Sequence, residues 1–150
     1  MPPRLRATLT SLGTPPDPTA LAEVVRAVGG SWAELDRLRR TAGTPVDVSG
    51  LTETELRACL ASQLPSRDGV VKTAWPADGI ATRMTAARLI TSVDALWYPS
   101  TDDLVVLREE TDGTSVLVLD HEERLTVIRM HGDGHDGAGR GQGPTGSRPA

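Results

Sequence analysis

The chain has a single cysteine, Cys59, in 150 residues, so it forms no internal disulfide and cannot build a thiolate zinc or iron–sulfur site. It has no phenylalanine, and its aromatic side chains are Trp32, Trp75, Trp97 and Tyr98 alone, which leaves Leu, Val and Ala to build any core. No uninterrupted apolar run exceeds four residues, as at Leu104–Leu107 and Val116–Leu119. A bilayer span needs roughly 20, so none is expected. The N-terminal Met1-Pro-Pro-Arg-Leu-Arg6 carries positive charge with no apolar stretch behind it, so the chain is expected to be cytoplasmic. Lysine occurs once, at Lys72, and asparagine not at all, while Ala, Arg, Gly and Pro abound. That bias is typical of a GC-rich bacterial genome and accounts for the arginine content without a phosphate-clamping role.

What the chain does have is an uneven charge distribution. Sixteen basic residues face 20 acidic ones, a net charge of −4, and within residues 91–123 Arg108 is the only base against nine carboxylates. Such a segment repels DNA and anionic lipid and suits a basic partner.

Residues 1–17, rich in proline, read as an arm and stiff linker. A single α+β unit is expected over 18–130, helical over 18–64 and mainly β over 65–130, with a disordered glycine-rich tail at 131–150. Asp17 caps a helix with Pro18 in its first turn, and Leu21, Val24, Val25 and Val28 recur at helical spacing up to Gly29-Gly30. Ser31-Trp-Ala-Glu34 and Thr52-Glu-Thr-Glu55 are capping boxes opening two more helices. Beyond Pro65 the pattern shortens to β-like runs: Val70–Trp75, Ala95–Tyr98, Leu104–Glu109, Ser115–Asp120 and Arg124–Met130. Met84–Val93 leans to helix with Thr85 as its cap. Two or three N-terminal helices are thus expected on an antiparallel meander of about four to five strands. Leu104–Leu107 and Val116–Leu119 are apolar on both faces, so they belong at the sheet centre, covered on one side by helices and on the other by the arm, another helix or a second subunit.

Candidate functional residues follow from chemistry. Asp102, Asp103, Glu109, Glu110 and Asp112 form the acidic face of a binding surface, with Trp97 and Tyr98 as aromatic anchors. The leading expectation is a non-enzymatic, cytoplasmic protein-interaction module whose acidic meander docks a basic protein, by analogy with antitoxin or immunity proteins that block cationic nucleases. A second reading is a helix-turn-helix regulator on the helices of 18–42, with Arg37, Arg39 and Arg40 facing DNA, although Glu34 and Asp36 lie among them. A third is a small hydrolase in which His121 pairs with Asp102 or Asp103. His131-Gly-Asp-Gly-His135-Asp136 offers metal ligands, but in an order unlike the His-x-His-x-Asp-His run of metallo-β-lactamase-like hydrolases and with no packing to fix them. No metal or cofactor is expected, and Cys59 reads as a buried small hydrophobe.

Overall fold

The computed structural model describes residues 2–111 and 113–131. In chain order the elements are α1 (Pro3–Leu12), α2 (Pro18–Ala27), α3 (Trp32–Thr41), β1 (Val46–Asp47), α4 (Glu53–Gln63), β2 (Val70–Trp75), β3 (Ile80–Thr85), α5 (Ala86–Leu96), β4 (Leu104–Glu110), β5 (Gly113–Leu119) and β6 (Arg124–His131). The strands form one antiparallel sheet in the order β1-β6-β5-β4-β2-β3, and the class is α+β, with six strands where four to five were expected. β4, β5 and β6 are the meander; β2 reaches β4 by way of β3 and α5.

Local chemistry sets the helix starts. Asp17 Oδ1 accepts the Thr19 and Ala20 N–H groups at 2.9 and 3.2 Å. Thr52 and Glu55 form a complete capping box, each side chain accepting the other's backbone N–H, at 3.1 and 2.9 Å. The Ser31 box is half made: Ser31 Oγ accepts the Glu34 N–H at 3.2 Å, but the Glu34 carboxylate turns to Arg37 instead. Thr85 caps α5 through the Arg88 N–H at 3.1 Å. Between α2 and α3, Gly29 lies at φ 108°, and a Cβ there would sit 3.0 Å from Glu34 Cβ; only glycine permits this tight turn.

Three expectations need correction. The segment read as an arm contains α1, because Leu5 and Leu9, four apart, are buried in the core beside α5. Ala95–Tyr98 is the last turn of α5 and the loop after it, since Leu96 faces the core and the Trp97 N–H donates to the Val93 carbonyl at 2.9 Å. β1 and β3 were not foreseen; β3 mixes Thr82 and Arg83 with apolar residues and so lacks a clean alternation.

Alternation along the central strands feeds two cores. Leu104, Val106, Leu117 and Leu119 join Trp75, Leu89 and Val93 on the face covered by α1, α4 and α5. Val105, Leu107, Val116 and Val118 join Ala20, Val24 and Leu35 on the face covered by α2 and α3. The doubly apolar strands are therefore central and covered on both sides, by helices of the same chain. Trp75 Nε1 donates to the Leu96 carbonyl at 2.7 Å, fixing the end of α5 to the sheet. Among the described residues no helix is long and apolar enough to cross a membrane.

Candidate functional site

The antiparallel register brings three connections to one end of the sheet: the 76–79 turn after β2, the 97–103 loop before β4 and the 120–123 turn after β5. α3 runs alongside them. Asp102 is buried, and both its carboxylate oxygens accept the Ala77 N–H, at 3.0 and 3.1 Å, while Oδ1 also accepts the Asp103 N–H at 2.7 Å. Burial pushes its pKa above the ordinary aspartate value, against the opposing pull of those N–H groups. It clips two loops together and is not an exposed docking charge.

Asp103 Oδ1 accepts the His121 backbone N–H at 2.9 Å and lies 3.0 Å from Nδ1 of the same residue. This hydrogen bond, reinforced by the carboxylate charge, holds the His121 pKa above the ordinary imidazole value. Asp120, fully buried, anchors the turn: Oδ2 accepts from Arg39 Nη2 at 2.6 Å and lies 3.4 Å from Arg124 Nε, while Oδ1 accepts the Glu122 and Arg124 N–H groups at 2.9 and 3.1 Å. α3 is thereby fastened to the β5–β6 turn. Between α3 and the loops lies a groove of about 440 Å³, walled by Trp32, Leu35, Pro76 and Ala77 and edged by Asp36, Ser100, Thr101, Asp102, Asp103 and His121.

This loop end is strongly acidic. Asp36, Asp47, Asp78, Asp102, Asp103, Asp120, Glu122 and Glu123 gather there against Arg39, Arg40 and Arg124. Glu109 and Glu110 are at the other end of β4, roughly 20 Å away at the usual rise per strand residue. There Glu109 pairs with Lys72 at 2.5 Å and Glu110 with Arg108 at 2.6 Å. Asp112, and the metal-ligand run from residue 132 onward, lie outside the described residues.

The sequence-read binding residues thus separate into two groups, and neither aromatic anchor is free. Trp97 is only 8% exposed, while Tyr98 is half-buried, donating its hydroxyl to the Ala95 carbonyl at 2.5 Å beneath the Arg4 guanidinium. The aromatic that does line the groove is Trp32, whose helical spacing marked it only as a core position. Nor does α3 present a basic face. Arg37 pairs with Glu34 and Arg39 with Asp36 and Asp120, so of its three arginines only Arg40 makes no ion pair among the described residues. No cluster of three or more histidine, cysteine or carboxylate side chains suited to a metal occurs among the described residues. Comparison with protein-family models, curated proteins and solved structures finds no match to this chain.

Proposed function

We propose that this protein is a non-enzymatic binding module that docks a basic partner protein on the loop end of its sheet. The observation that carries this reading is the excess of carboxylates at that end, beside a groove with a half-buried tryptophan. Like charges held on one rim steer a cationic surface into contact, and an amphipathic aromatic wall supplies contact area once it arrives. The acids of the β4–β5 end contribute less to the attraction, because Lys72 and Arg108 match Glu109 and Glu110 one for one, whereas at the loop end eight carboxylates outnumber three arginines even with Asp36 paired to Arg39 and Glu122 to Arg124.

A second reading rests on the His121–Asp103 contact: a carboxylate that holds Nδ1 leaves Nε2 as a base, and Ser100 and Thr101 border the same groove. Against hydrolysis, the His121 side chain is 63% exposed, so bulk water competes for it.

Affinity capture from the source cell, with bound proteins identified by mass spectrometry, separates the readings. The wild type and an E109Q/E110Q variant are expected to retain a basic protein at low salt and release it at moderate salt. A D36N/E122Q/E123Q variant with unchanged melting temperature is expected to lose it. Equal retention by both variants, or no basic protein with the wild type, overturns the proposal.

A further inference from the structure

On the far side of Asp36 from the groove lies a second cavity, of about 490 Å³, bounded by the end of α3, the 42–45 loop and the start of β6. We infer that it is a binding site for the phosphate group of a small phosphomonoester, held by Arg40, Arg39, Arg124 and the backbone of the 43–44 loop. The inference is independent of the docking surface proposed above.

The argument is a balance of donors against acceptors. Among the described residues Arg40 makes no hydrogen bond or ion pair, and neither do Gly43 and Thr44, which line the cavity. Arg39 Nε is buried with no partner among the described residues. Asp36, the one carboxylate lining the cavity, is already taken by Arg39 at 3.3 Å. Unpaired donors therefore outnumber acceptors around an open space, and the ligand that completes them is an oxyanion rich in lone pairs. The site is also preorganised. Asp120, with no solvent exposure, pairs with the Arg39 and Arg124 guanidiniums, and Glu122 takes Nη2 of Arg124, so both side chains are held in place while Arg39 Nε and the whole Arg40 guanidinium stay open. Thr44 precedes Pro45, which biases its backbone toward the extended conformation and limits the loop's freedom. The volume is much larger than a bare phosphate, which favours an anion carried on a small molecule. Two features oppose binding: the carboxyl end of the α3 dipole and the neighbouring carboxylates repel an anion at long range, so millimolar affinity is expected.

Titration of the ¹⁵N-labelled full chain with inorganic phosphate tests this. Saturable shifts are expected at the Gly43 and Thr44 amides, with binding weakened roughly tenfold in R40Q, which removes one charged donor from an exposed side chain and leaves folding intact. R67Q, an exposed arginine elsewhere, is expected to bind as the wild type does. Acetate at matched ionic strength is expected to bind at least tenfold more weakly than phosphate. The inference fails if the two amides do not saturate, if R67Q weakens binding as much as R40Q, or if acetate binds as tightly as phosphate.

Discussion

Thr73 and Thr82 are direct cross-strand neighbours on β2 and β3, both fully buried, and neither hydroxyl has a hydrogen-bond partner among the described residues. A buried hydroxyl without a partner loses its hydration and gains nothing in exchange, so replacement by an apolar side chain of the same shape favours the fold. Thr73→Val and Thr82→Val are each expected to stabilise by about 1 kcal/mol, read as a higher denaturation midpoint; a loss of stability would mean the hydroxyls do bond in solution. Asp102 illustrates the opposite case. Burial raises its pKa, so the fold carries its ionised form at a cost above that raised value, and the cost disappears as pH falls through it. Asp102→Asn keeps an acceptor for the Ala77 N–H without the charge and is expected to be neutral or stabilising at pH 7. Asp102→Ala leaves the Ala77 and Asp103 N–H groups unpaired and is expected to cost about 1–3 kcal/mol. For His121 the folded pKa is raised above the ordinary 6.5, so the Asp103 contact contributes stability that is fully present below 6.5 and is lost as pH rises through the raised value. An NMR titration of the imidazole should show the raised value in the wild type and a return toward 6.5 in Asp103→Asn.

Among the elements, those opened by a side-chain cap were legible in the sequence. Asp17, Ser31, Thr52 and Thr85 each mark a helix start because one residue's chemistry decides it, without reference to distant partners. α1 has no such cap, begins at a proline and shows barely two turns of periodicity, so only its packing against α5 reveals it. β1, two residues long, exists only because Val46 and Asp47 find Leu125 and Arg124. The site was partly legible for the same reason. The residue types around Asp102, Asp103 and His121 signalled polar chemistry, but a contact across 18 positions of sequence depends on strand register, as does the separation of Glu109 and Glu110 from them. The test of α1 as a core element is Leu5→Ala. Leu5 is fully buried, so truncation is expected to cost about 2–5 kcal/mol in chemical denaturation, whereas a solvated arm would show no change.

At the scale of the molecule, the sheet is the only layer shared by the two cores, and β4 and β5 are its middle. Their side chains enter both cores, and each strand has a neighbour on either side, so no local opening can free their amides without dismantling both faces. α3 is placed differently. It buries Leu35, packs Trp32 and Leu38 against the same core, rests beside β6, and is further fastened by the Arg39–Asp120 pair. With a single fully core-facing side chain, α3 is expected to detach while the rest of the sheet persists. Native-state hydrogen exchange is therefore expected to show Val105–Leu107 and Val116–Val118 exchanging only through global unfolding, with a denaturant dependence equal to that of the whole chain. The amides of α3 are expected to exchange through a smaller, less denaturant-sensitive opening, and Asp120→Ala should speed them while leaving Val105–Leu107 limited by the global transition. If α3 were as protected as β4, the two cores would unfold as one body and the helix beside the acidic groove would be a fixed wall rather than a movable one.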